Sequence, residues 1–270
     1  MTNPDAATGP TAAGMYDFYL GGTAHTPIDR AAAEAILQVL PDIADGASAN
    51  RGFLQRAVRR MVTEFGITQF LDVGSGLPTQ RNTHDVVAEL VPDGRVVYVD
   101  IDPRVVARSR ELLSGTERVA AFEADVRQAE AILDHPDTRA LIDFSQPVGL
   151  MFVALLHFVP DDDDPWGLVR RYLDALPSGS CLALSHICID DQVSDDAREM
   201  GDKVYRNTDN PPTDRSRTEI ERFFAGLELV PPYDGAGPGI ANIGVWGAED
   251  PDLADTEGSR LGYAGLGRKP

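Results

Sequence analysis

Apolar residues recur at helical spacing near the start of the chain and in short continuous runs after it. Segments 27–39 and 45–65 place apolar side chains three or four positions apart, and Gly66 follows the second segment, which predicts two helices. The first 13 residues are mostly Ala, Thr, Pro and Gly, and we expect them to form a disordered tail. Residues 14–66 are therefore predicted to form a helical N-terminal cap.

From residue 68 the pattern changes to short β-branched runs that alternate with amphipathic segments. Nearly all-apolar strands alternating with helices are typical of a parallel sheet that is covered on both faces. Two later runs, 226–230 and 240–247, predict a hairpin on the edge of this sheet. The other predicted strands lie at 69–73, 95–100, 119–123, 148–155 and 181–186, and the predicted helices at 82–90, 103–113, 128–134, 165–176 and 218–224.

The expected fold is α/β, with a Rossmann-like sheet of seven strands of which the last is antiparallel, and with the helical cap placed over it. The sheet domain is expected to span residues 67–249. Residues 250–270 are rich in glycine and charged residues, which predicts a loosely held C-terminal tail.

Composition narrows the classes of partner. The 270-residue chain is 43% hydrophobic, which is ordinary for a globular protein, and its formal net charge is −19. Such an acidic surface repels phosphate backbones and anionic lipids, so we expect neither nucleic-acid nor membrane partners. No apolar run reaches the length of a membrane span, and the N-terminus lacks the basic and apolar regions of a secretory signal, which favours the cytoplasm. The 2 cysteines are too few for a disulfide framework or a structural zinc site, and no metal is expected.

A glycine loop follows the first predicted strand. Gly74 and Gly76 form a Gly-x-Gly turn, which lets a ligand approach the backbone and presents free N–H groups before a helix. A dinucleotide fingerprint needs a third glycine where Thr79 stands, so the loop suits a smaller anionic group such as an amino-acid carboxylate. Asp72, in the strand that leads into the loop, suits a cationic α-amino group nearby.

Two further acidic residues lie where the next two strands end. Asp100 closes the second strand, where a carboxylate accepts hydrogen bonds from ribose hydroxyls. Asp125 follows the third strand and is placed to accept from an adenine amino group, with the amide of Val126 facing a ring nitrogen. Each acid alone is explained as well by capping of the following helix. The series favours a ligand site, because the carboxyl ends of parallel strands share one edge of the sheet.

This arrangement resembles class I S-adenosylmethionine-dependent methyltransferases. More narrowly, the chain resembles an S-adenosyl methyltransferase family of actinobacteria that was once described as a domain of unknown function. The chain departs from the family in having Thr-Ala-His-Thr at 23–26, where Lys-Asp-Asn-Phe is usual, and Ile101 where Asn is usual. The matching stretches are MYDFYLGG (15–22), ANRGFLQRAVR (49–59), QFLDVGSGLPT (69–79), VVYVDIDPRVV (96–106), VALLHFVPDDDDP (153–165) and RSRTEIERFFAGLELV (215–230).

The resemblance implies that S-adenosylmethionine is the cofactor and that Tyr16, Gly21 and Gly22 fold over it as part of a lid. Asn50 and Arg51 would belong to the same cap. Along the cofactor, the implied contacts are Asp72 near the amino group, Gly74, Ser75 and Gly76 around the methionine part, Asp100 on the ribose, Ile101 on the adenine face, Asp125 and Val126 on the adenine edge, and Ala154 and Leu155 beside the sulfonium.

The candidate catalytic group is His157, just past the fourth predicted strand, as a base for an acceptor that must lose a proton. The alternative is a structural histidine within an apolar stretch. A large cap favours methyl transfer to an oxygen or nitrogen atom of an enclosed small molecule. A non-catalytic protein that senses S-adenosylmethionine, and an NAD(P)-dependent oxidoreductase, are the alternative functions.

Overall fold

The computed structural model describes residues 9–79, 81–188 and 211–270, and eight strands within these ranges form one sheet. In chain order the strands are β1 (Gln69–Val73), β2 (Arg95–Asp100), β3 (Val119–Glu123), β4 (Gly149–Val153), β5 (Cys181–Ile187), β6 (Glu228–Leu229), β7 (Ala241–Asn242) and β8 (Gly262–Arg268).

The described helices follow the predicted segments closely, with three that the sequence pattern did not indicate, Ala12–Tyr19, Pro136–Leu141 and Pro251–Ala254. The helices are α1 (Ala12–Tyr19), α2 (Pro27–Leu37), α3 (Ile43–Phe65), α4 (Thr83–Leu90), α5 (Pro103–Leu112), α6 (Ala129–Leu133), α7 (Pro136–Leu141), α8 (Pro165–Asp174), α9 (Arg217–Glu221) and α10 (Pro251–Ala254).

The sheet has the strand order β3-β2-β1-β4-β5-β8-β6, with β7 also paired to β8. The first five strands of that order are parallel, and β8 runs antiparallel to β5. The α/β fold and the antiparallel last strand are confirmed, with eight strands in place of the predicted seven. Because β1, β2 and β4 run in the same direction, their carboxyl ends open onto one edge of the sheet.

Side chains alternate between two apolar layers along the central strands. Phe70 packs with Phe53 and Met61 of α3 on one face of the sheet, and Leu71 packs with Leu168 of α8 on the other. The long helix α3 is therefore a covering layer of the sheet, while its first turns reach the carboxyl edge.

The C-terminal segment is the main correction to the sequence prediction. Instead of a loosely held tail over 250–270, β8 lies between β5 and β6 and is mostly buried. The predicted hairpin of 226–230 and 240–247 is also wrong, since β6 and β7 are two residues long and each pairs with β8. A side chain at Gly265 would meet the ring of Phe224 at 2.8 Å, so glycine permits the close packing of this strand.

The N-terminal helices are held by one buried carboxylate. Oδ1 of Asp29 accepts hydrogen bonds from the backbone N–H and hydroxyl of Thr11, and Oδ2 accepts from the same groups of Thr26. Thr11 and Thr26 are the N-caps of α1 and α2, so Asp29 ties the two helices together. Helix α1 starts at Ala12, which corrects the predicted tail of residues 1–13 at its end; residues 1–8 lie outside the described residues.

Among the described residues, no helix has the length and apolarity that crossing a bilayer requires. The same residues contain no group of three or more His, Cys, Asp or Glu side chains arranged to hold a metal ion.

Candidate functional site

A cavity of about 570 Å³ lies at the carboxyl edge of the sheet, between the strand ends and the N-terminal helices. Its wall combines the glycine loop after β1, the ends of β2, β3 and β4, and residues of α1 and α3. Of the residues predicted from the sequence, the cavity brings together Tyr16, Asn50, Arg51, Asp72, Gly74, Ser75, Gly76, Asp100, Ile101, Asp125, Val126, Ala154 and Leu155.

The glycine loop contributes shape to this cavity. Gly74 has a φ of +70°, and a side chain there would meet Cδ1 of Leu155 at 2.4 Å, so glycine lets the loop approach the end of β4. Its N–H groups are already used: Gly74 and Ser75 donate to the carbonyl of Val99, and Gly76 donates to Oδ2 of Asp100. The expectation that these N–H groups bind an anionic ligand is therefore corrected.

Asp72 supplies a buried carboxylate at the end of β1. Its Oδ2 accepts a hydrogen bond from the hydroxyl of Thr83 at 2.7 Å. Burial raises the pKa of Asp72 to about 6, although the bond from Thr83 and the charge of Arg51 oppose the rise. A carboxylate in such a place gains from a cationic partner brought by a ligand.

Asp100 connects the end of β2 to the glycine loop. Its two oxygens accept from the N–H groups of Gly76 and Asp102, at 2.9 and 3.0 Å. These contacts aim the carboxylate along the cavity wall, where it retains lone pairs for two hydroxyl donors. The next residue, Ile101, is 48% exposed and lines the cavity, which gives an apolar surface beside a polar one.

Asp125 has a partner that the sequence pattern did not reveal. The guanidinium of Arg127 binds both oxygens of Asp125 and also reaches Asp163, at 3.1 Å. Arg127 lines the cavity, so an ion pair closes the wall beside Val126. An adenine amino group at Asp125 would share that carboxylate with Arg127.

A directed chain of hydrogen bonds joins the cap to the strand ends. Ala154 N–H donates to the hydroxyl of Ser185, which donates to Oδ1 of Asn50. The Asn50 amide then donates to the hydroxyl of Tyr16, which donates to the carbonyl of Ala47. Burial raises the pKa of Tyr16, so this hydroxyl keeps its proton.

Asp17 is a further cavity residue that the sequence reasoning missed. Its Oδ1 accepts from the hydroxyl of Thr79, and its Oδ2 accepts from His25, which ties α1 to the glycine loop. Gly21 and Gly22 do not line the cavity, in contrast to the prediction, and Gly22 N–H instead donates to the carbonyl of Asp17. The one signal in the sequence that could have identified Asp17 was its place as an acidic residue inside an otherwise apolar helical segment.

His157 is the clearest correction within the site. Its neighbours Leu155, Phe158 and Val159 line the cavity, but His157 does not. It is 7% exposed and packs against His186, with ring centroids 5.3 Å apart. Burial lowers its pKa well below the ordinary value, so the imidazole stays neutral, and its place outside the cavity lining favours the structural alternative.

A family model described as S-adenosyl methyltransferase matches residues 4–270. The chain belongs to this methyltransferase family. It is accordingly an S-adenosylmethionine-dependent enzyme. This assignment replaces the two alternative functions, the non-catalytic sensor and the NAD(P)-dependent oxidoreductase. The structure adds that Thr79, which stands in place of a third fingerprint glycine, binds Asp17 of the cap.

Two solved structures cover nearly the whole methyltransferase. A candidate methyltransferase from Thermobifida fusca YX is 40% identical, with a TM-score of 0.87 and coverage of 98% of this chain and 96% of that one. A DUF574 family protein from Streptomyces avermitilis MA-4680 is 37% identical, with a TM-score of 0.88 and coverage of 97% and 98%. A search of curated proteins found no match.

More distant structures share the fold alone. An O-methyltransferase family protein from Burkholderia thailandensis is 14% identical, with a TM-score of 0.52, and covers 98% of this chain and 65% of that chain. The Rossmann-like architecture of the methyltransferase is therefore common to proteins whose sequences have diverged widely.

Proposed function

We propose that this methyltransferase transfers the methyl group of S-adenosylmethionine to an oxygen or nitrogen atom of a small molecule. The observation that carries the proposal is a single cavity lined both by strand-end carboxylates and by residues of α1 and α3. Because residues of α1 and α3 form one side of the cavity above the strand ends, the reacting space is partly covered, which favours a small acceptor over a large flat one.

The residues present fit the cofactor. Asp100 offers carboxylate oxygens for ribose hydroxyls, and Ile101 is a half-exposed apolar side chain that an adenine face would cover. Asp72 provides a negative charge for an α-amino group. Ala154 and Leu155 bound the cavity on the side where β4 ends, beside the sulfonium in this placement.

Bound S-adenosylmethionine would supply a methyl group to a lone pair of the acceptor, with in-line cleavage of the bond between carbon and sulfur and S-adenosylhomocysteine as the leaving group, which makes alignment the main contribution of the protein. The described residues that line the cavity include no histidine, lysine or cysteine. The Tyr16 hydroxyl is committed to Ala47 and keeps its proton. We therefore expect an acceptor atom that is nucleophilic in its own ionisation state, or one whose proton passes to water or to a cavity carboxylate such as Asp72, whose pKa burial raises to about 6.

The test is release of S-adenosylhomocysteine from S-adenosylmethionine in the presence of a size-fractionated cell extract. We expect release with the low-molecular-mass fraction, and loss of it in Asp100→Ala but not in Asp93→Ala, which removes an exposed carboxylate near the opposite end of β2. Release only with the protein or nucleic-acid fraction would contradict a small-molecule acceptor. The net charge of −19 disfavours nucleic acids and membranes as partners, and we propose the cytoplasm as the place of action.

A further inference from the structure

Arg51 is a buried cation that has no anionic partner among the residues that the structure describes. It lies in α3, is 8% exposed and lines the cavity. Nη1 donates to Oδ1 of Asn82 at 2.7 Å, whereas the buried Nε has no hydrogen-bond partner among the described residues. Among the same residues, no carboxylate oxygen lies within 4.0 Å of a guanidinium nitrogen of Arg51, the distance that defines an ion pair. A buried guanidinium in this state is costly unless a ligand brings the missing anion.

The glycine loop does not provide an alternative anion site. The N–H groups of Gly74, Ser75 and Gly76 are bonded to Val99 and Asp100, as described above. The N-terminus of the following helix, α4, is also hydrogen-bonded already, since the side chain of Asn82 accepts from the N–H of Thr83. An anionic ligand at this end of the cavity therefore meets Arg51 as its donor.

Arg51 and Asp72 place opposite charges at the same end of the cavity. The two attract each other across the cavity wall without forming an ion pair, and each retains capacity for a further partner. An α-amino acid group carries the matching pair of charges, an ammonium for Asp72 and a carboxylate for the planar, directional donors of Arg51.

We infer that Arg51 binds the methionyl carboxylate of the cofactor and that, with Asp72, it makes the site selective for ligands with an intact amino-acid group. This inference rests on the proposed function, because it assumes the same placement of the cofactor. The acceptor is another possible source of a carboxylate, and the experiment separates the two.

The experiment is calorimetric titration of Arg51→Met, Arg51→Lys and wild type with S-adenosylmethionine, decarboxylated S-adenosylmethionine and 5′-methylthioadenosine. Wild type should bind the intact compound roughly 10- to 100-fold more tightly than the decarboxylated one. Arg51→Met should lose that difference while binding 5′-methylthioadenosine as wild type does, and Arg51→Lys should retain part of it. Arg59→Met, which removes an exposed arginine of the same helix, is the matched control and should behave as wild type.

Equal weakening of all three ligands in Arg51→Met would overturn the inference, since Arg51 would then only support the cavity wall. Unchanged affinity for S-adenosylmethionine would also overturn it and would assign Arg51 to the acceptor. If wild type binds none of the three compounds, the proposed function itself fails. Thermal melts of each variant verify that the comparison is made on folded protein.

Discussion

Replacement of Asp72 by asparagine is expected to stabilise the protein at neutral pH while weakening cofactor binding. The carboxyl of Asp72 is fully buried, and burial raises its pKa from 3.8 to about 6. Because the folded-state pKa is the higher one, this group stabilises the fold at pH values below about 4, and that contribution is lost as the pH rises through 6.

The size of the effect follows from that difference in pKa. A rise from 3.8 to about 6 corresponds to about 3 kcal/mol of unfolding free energy lost once Asp72 ionises. Asparagine has nearly the same shape and retains an oxygen that can accept from Thr83, but it carries no charge to desolvate. Asp72→Asn should therefore exceed wild type in stability by up to about 3 kcal/mol at pH 8, with the difference vanishing near pH 4.

Urea unfolding of both proteins between pH 4 and pH 8 measures this difference directly. The matched control is Asp125→Asn, where the hydrogen bonds from Arg127 outweigh burial and lower the pKa of the carboxyl, so removal of the charge should destabilise. An Asp72→Asn variant that is no more stable than wild type at pH 8 would refute the reasoning. Weaker binding of S-adenosylmethionine by the same variant would identify the ionised carboxylate as a feature kept for function.

Three other substitutions test separate parts of the site. Asp100→Ala should weaken calorimetric binding of S-adenosylhomocysteine by about 1–3 kcal/mol, and an unchanged dissociation constant would remove Asp100 from the site. Asp29→Ala should lower the free energy of unfolding in urea by about 2 kcal/mol, because the Asp29 carboxylate holds together the N-cap residues of α1 and α2. The same variant should bind S-adenosylhomocysteine more weakly, and normal binding would show that the site does not need α1. His157→Gln should leave affinity within about twofold of wild type, and a tenfold loss would return His157 to the site.

The central strands were predictable because burial on both faces gives them a continuous apolar pattern, as in β1, where every residue is buried. Strand β8 gave the opposite signal. Its three glycines weaken strand propensity, yet Gly265 is required by the ring of Phe224, a contact between distant parts of the chain. Local propensity contains no information about such a contact.

The candidate site divides in a similar way. Asp72 and Asp100 were predictable because a strand end fixes where a side chain lies relative to the sheet edge. His157 lies within a single turn of 3-10 helix, Leu156–Phe158, shortly after β4. Successive side chains in such a turn point in different directions, so a shift of one residue along the sequence changes whether a side chain faces the cavity. Arg51 and Asp17 act through contacts that join helices to loops far away in the chain, and only the folded arrangement reveals them.

The most direct measurement is a crystal structure of the protein with S-adenosylhomocysteine. The predicted complex has the ribose hydroxyls on the carboxylate of Asp100, the adenine against Ile101 and the amino-acid group between Asp72 and Arg51. Density for the ligand at any other place, or a cavity that stays free of it at saturating concentration, would contradict the assignment of this cavity as the cofactor site.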